Sequence, residues 1–84
     1  MKWGKARKKP VEIEYREVEP KILIRVKNPE GTEIWGEAIE TLEGTLFAYL
    51  GEHYIIRGVE GEVYPIRKDI FYRTYDVIEP PEKE

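Results

Sequence analysis

The residues that could do chemistry in this 84-residue chain are mainly cations and aromatic rings. The sequence contains no Ser and no Cys, so a covalent nucleophile would have to be Thr, Tyr or Lys. The single histidine, His53, lies between Glu52 and Tyr54, but neighbouring side chains on a strand point to opposite faces. A lone His beside a turn is more often a surface residue than a general base. We therefore expect no enzymatic activity, no catalytic residues, no metal site and no cofactor.

Cations and aromatic rings gather towards the C-terminus and form a first candidate binding patch. Its members are Arg57, Tyr64, Arg67, Lys68, Tyr72 and Arg73. A two-residue turn at Glu60-Gly61 would place Arg57 opposite Tyr64 in a hairpin and allow a cation–π contact between them. The alternative interpretation is structural, because cross-strand pairs of this kind are common stabilisers of sheets.

The basic N-terminus is a second candidate site, in this case for nucleic acid. Its members are Lys2, Trp3, Lys5, Arg7, Lys8 and Lys9. The cations could contact phosphates while the indole of Trp3 stacks on a base. Residues 10–84, however, carry nine basic and seventeen acidic residues, a net charge of −8 that would repel a duplex. The alternative is an arm that only improves solubility.

Alternating apolar and polar residues, interrupted by turn signals, predict a chain of short strands. Three Glu-Gly pairs, at residues 30–31, 43–44 and 60–61, mark predicted turns. Strands are predicted at 11–16, 21–27, 32–39, 45–50, 53–59 and 62–66, with Leu23 as an exception to the alternation. Residues 68–75 form the one helical candidate, because Phe71 and Tyr75 are four apart and Asp69 favours the N-terminal end. Residues 76–78 could add a last short strand.

These elements predict an all-β or β-rich α+β fold in a single small domain. We expect a small antiparallel, strongly bent sheet or an SH3-like barrel with one short C-terminal helical turn, because closure removes exposed strand edges. Residues 1–9 would be a flexible arm, residues 10–79 the compact domain and residues 80–84 a flexible acidic tail. Ile55, Ile56, Val63 and Phe71 are expected in the core.

Three blocks of the sequence resemble a family of small phage and prophage proteins that has no established activity. The blocks are residues 7–14 (RKKPVEIE), residues 41–44 (TLEG) and residues 51–75 (GEHYIIRGVEGEVYPIRKDIFYRTY). The chain departs from the family at Ile66, where the family usually has Cys, at Lys68, where it has Pro, and at residues 50–52, where it has Pro-Gly-Asp. Residues 17–40 match nothing in the family. The resemblance implies an origin on a virus or an integrated element.

Composition adds two expectations about the setting of the protein. Absence of Ser, Gln and Cys beside 37% charged residues is typical of proteins from hyperthermophiles, and the alternative is chance in a short sequence. Location in the cytoplasm of the host cell is expected, because no apolar run approaches a membrane span and the basic start lacks the apolar region of a secretory signal. The leading hypothesis is thus a non-enzymatic binding protein for a host or viral protein. The alternatives are a nucleic-acid binder and a self-assembling structural protein.

Overall fold

Six strands and one helix make up the regular structure of residues 2–81, which a computed structural model describes. The strands are β1 (Glu14–Glu17), β2 (Ile22–Arg25), β3 (Glu33–Thr41), β4 (Gly44–Tyr49), β5 (His53–Arg57) and β6 (Val63–Arg67), and the helix is α1 (Lys68–Thr74). Most of the predicted acidic tail, residues 82–84, lies outside the described residues, as does Met1. Within residues 2–81, no helix is long and apolar enough to cross a bilayer.

The strands form two antiparallel sheets, with the orders β1-β5-β6 and β2-β3-β4. The β-rich class and the short C-terminal helix are therefore confirmed. The chain changes sheet between β1 and β2 and again between β4 and β5, and the sheets do not close into a barrel within residues 2–81, because the edge strands β1, β6, β2 and β4 each pair on one side only. Pro20, which has no N–H to donate, lies in the first of these connections.

The central strand β5 is buried on both faces and separates two apolar clusters. Ile55 faces the other sheet and packs with Val18, Ile39 and Ala48, and with the half-buried Val63. On the opposite face, Tyr54 and Ile56 pack against Phe71 of α1. The expected core residues Ile55, Ile56, Val63 and Phe71 all belong to these clusters. The second cluster also includes Ile13, Tyr15, Tyr64, Ile66 and Tyr75, all half-buried.

The predicted two-residue turn at Glu60-Gly61 is wrong, and the pairing of β5 with β6 differs from the predicted pairing by one residue. Residues 58–62 form the loop, in which the Gly58 N–H donates to the Glu62 carbonyl at 2.8 Å. Arg57 consequently lies opposite Val63, and Tyr64 lies opposite Ile56. A one-residue shift moves every side chain of a strand to the other face. The observed register buries Tyr64 and Ile66 beneath the helix, which the predicted register would not do.

Two other predicted boundaries differ from the structure. The first strand begins at Glu14 instead of Val11, since β5 ends at Arg57, the partner of Glu14. Residues 76–78 do not form a strand. Both segments instead flank a groove against α1 that includes Pro10 and Pro80.

Glu37 on β3 is the one buried charged residue within the described chain, and it joins the two sheets. The residue is 4% exposed. Arg16 of β1 donates to both carboxylate oxygens, at 2.6 and 3.0 Å, and the Glu19 N–H donates at 2.7 Å. The Lys21 ammonium lies 3.7 Å away. The Arg16 bonds lower the pKa of Glu37 despite its burial. The network satisfies a charge that would otherwise destabilise the fold.

Replacing Phe71 should test the cluster beneath the helix. Phe71 is 1% exposed, so Phe71→Ala should lower the free energy of unfolding by about 3–5 kcal/mol through lost contacts and a cavity. Phe71→Leu should cost less and keep the fold measurable. Ile70→Ala, at a more exposed position of the same helix, is the control. Urea unfolding followed by circular dichroism measures all three, and equal losses at positions 70 and 71 would contradict the assignment.

Replacing Glu37 should make the acid dependence of stability shallower. Glu37→Gln should cost about 1.5–3 kcal/mol at pH 7, the range for hydrogen bonds to charged groups. Because folding lowers this pKa, the wild-type advantage is complete above the unfolded value of about 4.3 and is lost as pH falls through the folded value. The difference between the two proteins should therefore shrink from pH 5 to pH 3, roughly across this range. Glu33→Gln, at an exposed pair, serves as the control, and a pH-independent difference would refute this role.

Candidate binding surface

The predicted basic-aromatic patch does not form one free basic surface, because each of its cations has an acidic partner. The nitrogen–oxygen distances are 2.6 Å for Arg57–Glu14, 2.6 Å for Arg67–Asp69, 2.9 Å for Lys68–Glu17 and 3.6 Å for Arg73–Asp69. The hydrogen bonds from Arg57 lower the pKa of Glu14, which keeps that partner ionised. Paired charges of opposite sign largely cancel at the distance of an approaching anion.

The patch is also divided between the two faces of the β1-β5-β6 sheet. Arg57 shares its face with Ile55, which is directed at the other sheet, whereas Tyr64 packs beneath the helix. The predicted contact between Arg57 and Tyr64 is therefore wrong. Burial raises the pKa of Tyr64 to about 12, consistent with a packing role. Tyr72 is more exposed, and its hydroxyl hydrogen-bonds the hydroxyl of Tyr54.

The basic arm has no helix or strand within residues 2–13, and one of its cations is held by the domain. The Lys8 ammonium donates to the Tyr75 hydroxyl at 2.8 Å and lies 4.1 Å from the centre of that ring. This hydrogen bond lowers the pKa of Tyr75. Trp3 is 93% exposed. The remaining cations of the arm, Lys2, Lys5, Arg7 and Lys9, are exposed as well.

His53 has a structural role at the turn between β4 and β5. Its Nδ1 accepts a hydrogen bond from the backbone N–H of Tyr49 at 3.0 Å, and the two rings meet edge to face. The predicted separation of His53 from its neighbour Tyr54 is confirmed, since Tyr54 lies in the cluster on the helix side. No group of three or more potential metal ligands occurs in the part of the chain that the structure describes.

An exposed apolar row crosses β2 and β3 and continues at Leu50, the residue that follows β4. It consists of Leu23, Trp35 and Leu50, which are 51%, 47% and 42% exposed. Leu23 is the direct cross-strand partner of Trp35. On the other side, the Leu50 N–H donates to the Trp35 carbonyl at 2.8 Å. Because residues opposite one another lie on the same face of a sheet, the three side chains form a continuous strip.

Ion pairs border this apolar row on both sides. Arg25 and Glu33, two residues beyond Leu23 and Trp35 on the same face, approach to 3.5 Å. On the other side lies the network of Glu37 with Arg16 and Lys21. An apolar centre surrounded by polar residues is the usual anatomy of a protein–protein interface.

The sequence did not predict this row. Leu23 was visible as an apolar residue on the polar side of a predicted strand, and Trp35 as a member of the third strand. Their adjacency depends on the pairing of β2 with β3, and Leu50 joins them only through β4. An apolar residue that breaks the alternation of a strand is the signal that points to such a surface.

Comparison of the chain with protein-family models, with curated proteins and with solved structures found no match. The resemblance to small phage and prophage proteins therefore stays a prediction.

Proposed function

We propose that this chain is a small, non-enzymatic binding protein of viral or prophage origin that acts on a host or viral protein in the cytoplasm of the host cell. The observation that carries the proposal is the exposed row of Leu23, Trp35 and Leu50. The viral origin rests on the sequence resemblance described above.

The row is suited to binding a protein for energetic reasons. Contiguous apolar surface is costly to leave in water and marks interaction sites when it is bordered by polar groups. Tryptophan is among the residues that contribute most to interface affinity, above all when its neighbours exclude water. Trp35 occupies the middle of the row, and three hydrogen-bonded strands hold the backbone beneath it. Little conformational entropy would be lost in forming a complex there.

Binding of nucleic acid is the second candidate function, and the exposed arm favours it. Trp3 is almost fully exposed among cations, an arrangement that suits stacking on an unpaired base. The predicted basic-aromatic patch adds little to nucleic-acid binding, because its cations already have carboxylate partners. These cations are Arg57, Arg67, Lys68 and Arg73. The arm alone would have to supply the affinity.

The two tryptophans provide a matched test of the two functions. Trp35→Ala should weaken binding of the protein partner about 30-fold or more, as expected for a hot-spot residue that contributes about 2 kcal/mol. Trp3→Ala should leave that affinity unchanged. The partner is first captured from host lysate treated with nuclease, and its dissociation constant is then measured with purified components by calorimetry. Circular dichroism verifies that both variants fold.

The opposite pattern would support the nucleic-acid function. In that case Trp3→Ala would weaken binding to a single-stranded oligonucleotide, the affinity would fall steeply with salt, and Trp35→Ala would have no effect. Unchanged protein affinity in Trp35→Ala would refute the proposed surface. Turnover of a substrate by the purified wild-type protein would refute the non-enzymatic assignment.

A further inference from the structure

The free edge of β4 differs from the other three strand edges of the described chain. Natural edge strands are usually protected by charged residues, by proline or by a covering segment. β1, β2 and β6 carry such protection in Glu14, Arg16, Glu17, Arg25, Pro65 and Arg67. Residues 44–51 (GTLFAYLG), which include β4, contain neither a charge nor a proline. Leu46 and Phe47, on opposite faces of β4, are 40% and 47% exposed.

The hydrogen bonds around β4 identify which backbone groups point away from the sheet. The Leu50 N–H bonds to β3, and backbone groups alternate in direction along an antiparallel strand. Leu46 and Ala48 therefore also face β3, whereas Thr45, Phe47 and Tyr49 face outward. The outward groups of Tyr49 are already used, because its N–H donates to His53 and its carbonyl accepts from the Glu52 N–H at 3.1 Å.

Thr45 and Phe47 are thus the outward residues of β4 that are open to another strand. No strand of residues 2–81 pairs with this side of β4. Each of the two residues presents one N–H and one carbonyl, which together make a short ladder of four groups. Such a ladder can bind an added strand by main-chain hydrogen bonds.

We propose that the added strand is β4 of a second copy of this chain, in an antiparallel dimer with two-fold symmetry. Leu46 lies at the symmetry axis and faces Leu46 of the second copy. Thr45 of each copy then pairs with Phe47 of the other, and each pair exchanges two hydrogen bonds. All four outward groups of each copy are satisfied. A register centred on Phe47 would instead pair Thr45 with Tyr49, whose backbone groups are occupied.

Self-complementarity favours a second copy over a different protein as the occupant. A two-fold interface requires a surface that matches itself, and two open residues on either side of a central leucine meet this requirement. The chain exposes 7524 Å², whereas a folded monomer of 10.0 kDa is expected to expose about 5,200 Å². Because this excess is summed over the whole chain, including the extended arm, the backbone geometry of β4 and not the area favours a second copy.

The dimer would contain one continuous six-stranded sheet. Because its symmetry axis is perpendicular to the sheet, both rows of Leu23, Trp35 and Leu50 would lie on the same side. A partner with two matching sites could then bind both rows with increased avidity. The dimer does not depend on the proposed function, since it rests on the backbone of β4 and not on the apolar row.

The first experiment measures the mass of the protein in solution and then introduces charged residues at positions 45 and 47. Light scattering of the wild-type protein over a dilution series should give twice 10.0 kDa at the concentrated end. Thr45→Lys/Phe47→Lys places like charges in both pairs and should raise the dissociation constant of the dimer about tenfold or more. Thr45→Lys/Phe47→Glu places opposite charges there and should restore the dimer. Trp35→Ala should leave the dimer unchanged.

The second experiment determines the register by disulfide crosslinking. Because the chain has no cysteine of its own, only the introduced residue can form a disulfide. Directly opposite residues in a pair without hydrogen bonds have Cα atoms about 4.5 Å apart, within the range of a disulfide. Leu46→Cys should form a disulfide-linked dimer on mild oxidation. Val59→Cys, exposed in the β5–β6 loop, is the control and should remain monomeric under denaturing conditions.

Three results would overturn the proposal. One is a wild-type protein that stays monomeric at every concentration, whether or not it binds an unrelated strand peptide. Another is a dimer whose affinity is the same in both charge variants. The third is equal crosslinking at positions 46 and 59. If a charge variant fails to fold by circular dichroism, the wild-type mass and the Leu46→Cys crosslink decide. If Leu46→Cys fails to fold, the wild-type mass and the two charge variants decide.

Discussion

Burial of β5 on both faces is the constraint on which the rest of this structure depends. Ile55 contacts the opposite sheet, while Tyr54 and Ile56 contact the helix and the N-terminal segment. A strand of five residues therefore connects both apolar clusters of the domain. The two clusters contain seven of the eight buried apolar residues of residues 2–81, and the Glu37 network contains the buried charge, so the core requires both faces of β5 to be covered. The positions of α1 and β6 follow from this requirement.

A core of this size also explains why so much apolar surface stays exposed. One cluster joins the β1-β5-β6 sheet to the β2-β3-β4 sheet, and the other joins it to α1. Neither cluster covers the half of the β2-β3-β4 sheet that carries Trp35, which stays exposed. Small domains bury a smaller fraction of their surface than large ones. The proposed protein-binding row and the proposed dimer edge therefore both lie on the β2-β3-β4 sheet.

The charged residues illustrate how a sequence can suggest a basic surface whose charges are paired in the structure. Arg57, Arg67, Lys68 and Arg73 are close in sequence and suggest a basic surface, yet each has a carboxylate partner. The partners of Arg57 and Lys68, Glu14 and Glu17, come from β1, about 40 to 50 positions away in the sequence. Local charge density is visible in a sequence, but its compensation by a distant strand is not. The same holds for Glu37, which looks like an ordinary surface residue in the sequence. Only the structure shows that it is buried and accepts hydrogen bonds from Arg16.

The sequence by itself determined the β-rich class, the short helix after β6, the Gly-containing turns and the core positions Ile55, Ile56 and Phe71. These properties are encoded locally, in the alternation of apolar residues, in turn chemistry and in the four-residue spacing of aromatic rings. Tertiary structure alone decided the division into two sheets, the register of the β5–β6 hairpin and the row formed by Leu23, Trp35 and Leu50. Each of these depends on which distant strands pair and on which face is buried. A one-residue change of register hardly alters the local sequence pattern. It nevertheless moves Tyr64 to the face beneath the helix, where it packs half-buried against the core.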